Sequence, residues 1–372
     1  MRSRILVFAG VIFSITTVAV WLVTATWRNF VGGRGFSWEG KFVLFALTAG
    51  FVPALILGFR YRHPLLRLAS LLTASAMGFL SFGLVAAVVC WLARAGAWAL
   101  GLPVNLPRLA ETVFGLAGLV GCYGLANSVF PRTVRLTVPL PGLPAAWRDQ
   151  TVALVTDVHL GNVRGAAFAA HLVWRLRRLH PQAVFISGDM FDGTKLDLPR
   201  AVKPWSGLTA PRGVYFVSGN HDDMRNRAQH LAAISAVGIR VLNNESIRID
   251  GLQLIGVHDA ETDDPELFRD ILRRANVAPE TTSILLAHKP SNLDVAEAAG
   301  LSLQLSGHTH GGQFWPWSLI AGRVHGKFVH GLNRFGRMLV YTSSGAGTWG
   351  PPFRVGTQSE IVLLRLVPAL TA

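Results

Sequence analysis

The sequence predicts two folds in series: an all-α segment of four membrane-spanning helices over 1–130, then an α/β domain over 150–372. A linker with an edge strand joins them at 131–149. Three observations carry this. Charge is partitioned: residues 1–130 hold two acids, Glu39 and Glu111, against ten Lys/Arg, whereas the rest holds 19 acids and 25 basic residues. Four apolar runs, 5–27, 42–59, 68–93 and 109–130, approach or exceed the roughly 20 residues that cross a bilayer. From 151 onward, short apolar runs alternate with stretches of helical spacing, the pattern of buried strands and covering helices.

The first run is too long for the apolar core of a signal peptide, and Ser3 separates Arg2 from Arg4, so no twin-arginine pair is present. The second run contains Pro53, which neighbouring helices can accommodate. Both cysteines, Cys90 and Cys122, fall inside runs and leave the redox compartment undecided. An even number of crossings puts both chain ends on one side. That side carries Arg2, Arg4, Arg60, Arg62, Arg67, Arg132, Arg135 and Arg148. The other carries Arg28, Arg34, Lys41, Arg94 and Arg108. Eight against five predicts an integral protein of the cell inner membrane with its second domain in the cytoplasm.

The net charge is +14, of which +8 belongs to 1–130. The remaining +6 is spread without a run of like charge or a nucleic-acid motif, so nucleic acid is not an expected partner. A lipid bilayer and a phosphorylated substrate are.

Prolines 131, 139, 141 and 144 around the alternating 133–138 predict the edge strand and linker. Strands follow at 151–156, 183–187, 214–218, 283–287, 301–305, 338–342 and 360–366, with a hairpin-like region over 241–256. Helices are predicted over 166–179, 198–208, 225–237, 265–275 and 291–299. Polar residues collect where these strands end. Asp157, Asp189, Asn220, His288 and His308 each follow an apolar strand, and the C-terminal ends of such strands are where ligands bind in open α/β sheets.

With His159 and His310, the set offers two carboxylates, one amide oxygen and four imidazoles. That is too many for one catalytic metal with an open position. It suits two divalent ions, and nitrogen and oxygen donors without thiolate favour Mn, Fe or Zn. The glycines around His308 and His310 let the backbone turn tightly there.

These residues resemble the calcineurin-like metallophosphoesterase family, whose blocks stand here as DVH at 157–159, GDMFD at 188–192, GNHD at 219–222, AH at 287–288 and GHTH at 307–310. The resemblance covers roughly 150–366. It implies a four-layer α/β/β/α sandwich in place of an open sheet. It also implies that Asp157, His159 and His310 hold one metal, that Asn220, His288 and His308 hold the other, and that Asp189 bridges. His221 is then a catalytic residue that stabilises the transition state or protonates the leaving oxygen, with Asp222 orienting it by a hydrogen bond. Gly311-Gly312-Gln313 and the run 341–348 look like the membrane-associated phosphodiesterase branch, which includes enzymes similar to UDP-diacylglucosamine hydrolases. Residues 356–359 read Gly-Thr-Gln-Ser where that branch commonly has a proline-rich approach.

Taken singly, Asp157, Asp189 and Asn220 also suit turns or helix caps; it is the joint pattern that points to metal. Asp192 reads as a turn residue. His258 and Asp259 either line a cleft or cap a strand end. His171, His180 and His230 read as surface or packing residues, and His63 as a loop residue at the headgroups. The aromatic run 314–320, with Arg323, His325, Lys327 and His330 behind it, reads as core or as an apolar-basic approach for a lipid-linked phosphate. Residues 349–354 read as a second wall. The expected reaction is hydrolysis of a phosphodiester or pyrophosphate bond by a metal-bridging hydroxide. The rivals are a protein or small-molecule phosphomonoesterase and a non-catalytic membrane scaffold; the scaffold would normally have lost a ligand or His221, and none is missing.

Overall fold

The computed structural model describes residues 2–32, 36–224, 226–278 and 280–369. Arg34 in the first loop, Arg225 at the head of the predicted helix 225–237, and Ala372 lie outside them. The chain divides into two compact units, one of residues 1–126 with 350–355, the other of 127–349 with 356–372.

The first unit is helical: α1 (Arg2–Val31), α2 (Trp38–Ala49), α3 (Phe51–Arg60), α4 (Pro64–Ala99) and α5 (Leu106–Val129). Counting α2 and α3 as one passage, four stretches are long and apolar enough to cross a membrane. The break between α2 and α3 follows from Pro53. It has no N–H to give Ala49, the residue four back and the last of α2, and its ring crowds that carbonyl. The turn survives through Gly50 N–H to Ala46 O (2.9 Å) and Ala54 N–H to Gly50 O (2.9 Å). The predicted run 68–93 extends at both ends in α4, whose 36 residues give a helix of about 54 Å, well beyond a hydrocarbon core of about 30 Å.

Large apolar side chains point outward, among them Val18, Leu92 and Leu119, each more than half exposed. A helix bundle that displays apolar side chains over its outer surface belongs in lipid, not water. Inside the bundle, Ala19, Val20, Val23 and Leu80 form a small core. The hydroxyls of Thr24, Thr48 and Thr73 donate to carbonyls one turn back at 2.8 Å, which leaves no polar group facing hydrocarbon there. The short segment 350–355 packs in this unit through Phe353, edge-on to Phe79.

The second unit begins with β1 (Arg132–Leu140) and β2 (Thr151–Val155), then α6 (Ala166–Leu179), β3 (Ala183–Ser187), α7 (Leu198–Val202) and β4 (Val214–Val217). Next come α8 (Asn220–Asp223), α9 (Arg227–Ser235), β5 (Arg240–Val241), β6 (Glu245–Ile249) and β7 (Leu252–Gly256). The remainder is α10 (Asp259–Thr262), α11 (Pro265–Ala275), β8 (Ser283–Leu286), α12 (Leu293–Ala298), β9 (Leu303–Ser306), α13 (Trp317–His325), β10 (Gly331–Phe335), β11 (Met338–Thr342) and β12 (Glu360–Pro368). The sequence reading missed α13 and β10.

Two six-stranded sheets form, ordered β1-β12-β2-β3-β4-β5 and β10-β11-β9-β8-β7-β6. Alternation along each strand sorts its side chains between two layers. In β2, Val152 and Leu154 point between the sheets, where they join Phe185, Leu254, Ile284 and Leu305. Ala153 and Val155 point the other way, into a layer with Leu172 and Leu176 of α6 and Trp205. On the far side, Phe268, Ile271 and Leu272 of α11 cover Ile255 and Leu285. The architecture is the four-layer α/β/β/α sandwich, not an open sheet. The strands read as continuous apolar runs because both faces are covered. β1 is an edge strand, as predicted, paired in parallel with β12.

Candidate metal centre

The parallel strands β2, β3 and β4 of one sheet and β8 and β9 of the other end near the same place. Ser187, the last residue of β3, stitches the sheets together there. Its hydroxyl donates to Leu305 O (2.8 Å), and its carbonyl accepts from His288 Nδ1 (2.8 Å). The loops must then pass each other closely, and two glycines permit it. A Cβ on Gly219 would stand 2.2 Å from Asp189 Oδ1, and one on Gly307 would stand 2.2 Å from Asp157 Oδ2.

The structure brings all the predicted residues to this edge. His159 Nε2 lies 3.0 Å from His310 Nε2. Asp157 Oδ1 is 3.8 Å from the first and 3.5 Å from the second. Asp189 Oδ2 lies 3.7 Å from His159 Nε2 on one side and 3.2 Å from His288 Nε2 on the other. His308 Nδ1 is 2.9 Å from Asn220 Oδ1. Asp157, His159, Asp189 and His288 are all buried.

The donor set fits a cation on chemical grounds. A carbonyl only accepts, so the bond to Ser187 O puts the His288 proton on Nδ1 and leaves a lone pair on Nε2. Nε2 then faces a carboxylate oxygen at 3.2 Å, an arrangement that calls for positive charge between them, either a second proton on the ring or a cation in its place. Burial opposes protonation of His288, yet Asp189 and Asp157 pull it up to about 10. Within this cluster, Asp157-His159-His310, Asp157-Asp189-His288 and His159-Asp189-His221 each bring three donor atoms within 4.8 Å of one another. The third group includes His221, which the sequence reading kept apart from the ligands.

Backbone strain marks the same residues. Asp157, His159, Asp189, His308 and His310 all have φ between 51° and 71°. Non-glycine residues in this region cost about 1–3 kcal/mol each and persist where the surroundings dictate them. Those surroundings are explicit for Asp157. Its carboxylate accepts from the Thr156 hydroxyl at 2.8 Å and the His308 N–H at 3.1 Å. Its carbonyl accepts from Gly347 N–H at 2.8 Å. Asp189 Oδ1 accepts from His221 N–H at 2.9 Å.

Asp222 requires a correction. It does not hydrogen-bond to the His221 ring. Its carboxylate accepts the backbone N–H groups of Gly219 (2.9 Å), Phe191 (3.0 Å) and Met190 (3.3 Å), tying the loop after β4 to the loop after β3. Burial and the Asp189 charge push its carboxyl up to about 8, against the pull of those N–H groups. His221 Nδ1 instead faces the carbonyl of Asp192 at 3.3 Å. Sequence adjacency says nothing about which way a side chain turns, and in the short helix α8 successive residues diverge by about 100°. Asp222→Ala is expected to leave three buried N–H groups without an acceptor, at about 3 kcal/mol, and to lower the melting temperature by several degrees. A preserved melting curve would refute this scaffolding role.

Asp192 is a turn residue, its Oδ1 accepting from Thr194 N–H at 2.7 Å. His258 is buried, held neutral by burial and the Arg227 charge, which lower it to about 4. Its Nδ1 accepts from Ser218 N–H at 2.9 Å. Asp259 pairs with Lys289 at 2.9 Å. His258 therefore caps the end of β4, whereas Asp259 is held in an ion pair. His63 caps α4, accepting Leu65 N–H. His180 caps α6 in the left-handed conformation, and His171 stacks on Trp174. His230 Nδ1 meets the Asp222 carbonyl at 2.6 Å.

Of the expected second wall, Trp349 stands at the centre, 5.3 Å from the His221 ring; residues 350–355 belong to the first unit. Gln313 fixes Trp349 by two bonds: its Nε2 donates to Trp349 O (3.0 Å) and its Oε1 accepts Trp349 N–H (2.9 Å). Sequence reasoning missed this clamp, because 36 residues separate its members. It also missed Thr156 and Ser187, whose only signal was a hydroxyl at the last turn of an apolar strand.

Residues 150–312 match the sequence profile described as calcineurin-like phosphoesterase. This is a calcineurin-like metallophosphoesterase domain. A protein of Helicobacter pylori named as an uncharacterised metallophosphoesterase is 31% identical over 228 residues, which cover 59% of this chain and 60% of that one. A Bos taurus protein named as a transmembrane protein with metallophosphoesterase domain is 31% identical over 281 residues, covering 71% and 63%. An Aquifex aeolicus protein, also named as an uncharacterised metallophosphoesterase, is 27% identical and covers 68% of this chain and 97% of that one. The chain thus spans about three fifths of the length of the first two relatives. Within the metallophosphoesterase domain, the aligned family region ends at Gly312, so α13 and the strands after it lie beyond it.

Proposed function

We propose that this membrane protein is a phosphohydrolase that cleaves a phosphodiester or pyrophosphate bond of a lipid or lipid-linked substrate. The observation that carries the reading is the convergence of seven donors from five strand ends on one buried edge. In this reading, Asp157, His159 and His310 hold one divalent ion, Asn220, His288 and His308 hold a second, and Asp189 faces both. Mn, Fe or Zn suits such nitrogen and oxygen donors. Bound there, the ions supply Lewis acidity, which lowers the pKa of water and offsets charge on phosphoryl oxygens.

The chain's own residues do the rest. His221 Nδ1, facing a carbonyl, carries a proton, so Nε2 is the atom that, when protonated, delivers its proton to the leaving oxygen and leaves the ring neutral. Burial lowers the pKa of His221, as does the charge on His288, while Asp189 raises it. The Trp349 ring stands 5.3 Å from the His221 ring and offers a flat wall to the substrate. Lipid is the favoured substrate class because the apolar helices tie the domain to a bilayer. The arginine distribution favours the cell inner membrane with the domain in the cytoplasm.

The test uses purified protein with bis-p-nitrophenyl phosphate and p-nitrophenyl phosphate. The diester is expected to be cleaved faster, a chelator to stop cleavage, and Mn, Fe or Zn to restore it. Preference for the monoester would indicate a phosphomonoesterase. Metal binding without cleavage of either would indicate a scaffold. Mass spectrometry of a total lipid extract after incubation is expected to show headgroup loss.

A further inference from the structure

The segment after the metal-binding loop is unlike the rest of the domain. Between Glu297 and Glu360 there is no acidic residue, while Arg323, Lys327, Arg334 and Arg337 all fall in that interval. Within it, α13 has no buried residue. Trp317, Ile320 and Val324 recur at the spacing of one helical face, and Leu319 and Arg323 flank them. Trp315 precedes the helix. Trp315, Trp317, Leu319 and Ile320 are 44–59% exposed and Val324 is 71% exposed. The opposite face seats the helix against Gly312, where a Cβ would stand 2.3 Å from Ser318 Cα.

A soluble domain rarely leaves two tryptophans and three aliphatic side chains together in water. Tryptophan beside Arg and Lys, on a short helix with an apolar face, is the composition of an element that lies in the headgroup layer. The charge complements anionic lipid: Arg323 makes no ion pair among the described residues, and no carboxylate from the segment competes for it. A bilayer is always within reach, because only Phe130 and Pro131 separate α5 from β1.

We propose that α13 with Trp315 is an interfacial anchor that seats the domain on an anionic bilayer surface beside the metal centre. Its last turn carries His325, whose ring lies 6.2 Å from that of His308. Seating the helix therefore brings lipid headgroups to the His308 side of the centre. The inference rests on the membrane reading above. It does not depend on which bond the centre cleaves.

The experiment places a single environment-sensitive label on the full chain. With Cys90→Ala and Cys122→Ala as background, cysteine is introduced in turn as Leu319→Cys, Val324→Cys and, on the exposed face of α11, Arg274→Cys. Each is labelled with a nitrobenzoxadiazole dye and reconstituted in vesicles of phosphatidylcholine with or without phosphatidylglycerol. With doxyl-labelled lipid present, the 319 and 324 labels are expected to lose about half their fluorescence when phosphatidylglycerol is included. The 274 label is expected to be unaffected. Arg323→Glu with Lys327→Glu is expected to reverse the quenching. Unquenched labels at 319 and 324 would overturn the proposal, as would equal quenching at 274 or quenching indifferent to phosphatidylglycerol. Cleavage of bis-p-nitrophenyl phosphate in detergent is read on the same samples. Quenching without cleavage would sink the hydrolase reading and leave the anchor; cleavage without quenching would do the reverse.

Discussion

Asp189→Asn is expected to lower the turnover of bis-p-nitrophenyl phosphate by about three orders of magnitude while the protein stays folded. The substitution keeps shape: an amide oxygen can still accept the His221 N–H that Asp189 Oδ1 takes at 2.9 Å. What changes is the other oxygen. Asp189 Oδ2 stands between His159 Nε2 and His288 Nε2, and an amide NH2 there would present hydrogens where a cation needs an acceptor. Burial works against the Asp189 charge, but His288 and its neighbours hold the carboxyl far below the ordinary carboxylate range, so a full negative charge is lost. Lewis-acid stabilisation worth several kcal/mol goes with it, and about 4 kcal/mol corresponds to roughly 10³ in rate. Elemental analysis is expected to show reduced metal content beside an unchanged far-ultraviolet spectrum. Full activity in this variant would end the two-ion reading.

His221→Gln has the second largest expected effect, and its size depends on the leaving group. Loss of a positioned general acid costs about 10²–10⁴ in rate when the departing oxygen is an alkoxide that must be protonated. A p-nitrophenolate leaves readily without that proton, so the loss on bis-p-nitrophenyl phosphate is expected to be much smaller than on an alkyl phosphodiester. His221 also lies in a donor group with His159 and Asp189, so metal content is the discriminating readout. Unchanged content with a leaving-group-dependent loss identifies a proton donor. A drop in content with equal loss on both substrates would show that His221 binds metal instead.

Much of the centre was legible in one dimension because each candidate ligand lies just beyond an apolar run. A strand buried on both faces must be apolar along its length, so Thr151–Val155 and Ala183–Ser187 stand out, and a polar residue just beyond marks the sheet edge. Helices with a strong polar face were equally plain: 166–179 and 265–275 match α6 and α11 to the residue. α13 was missed because its apolar residues face outward, so its pattern reads as core or loop. β10 was missed because Gly331 and the polar Asn333 and Arg334 break its alternation. The orientation of Asp222 was misjudged because it depends on which backbone N–H groups two distant loops present to it.

The sequence by itself determined the class of most elements, the separation of four apolar helices from an α/β domain, and the residue types that end the strands. These follow from burial and local periodicity, which are properties of neighbouring residues. Only the tertiary structure decided that the two sheets are joined through Ser187 and that Asp222 braces loops instead of orienting His221. It also decided that Gln313 holds Trp349 against His221 and that an acid-free helix stands exposed beside His308. Those depend on distances between residues far apart in the chain, which are set when the two sheets pack face to face and carry their loops to one edge.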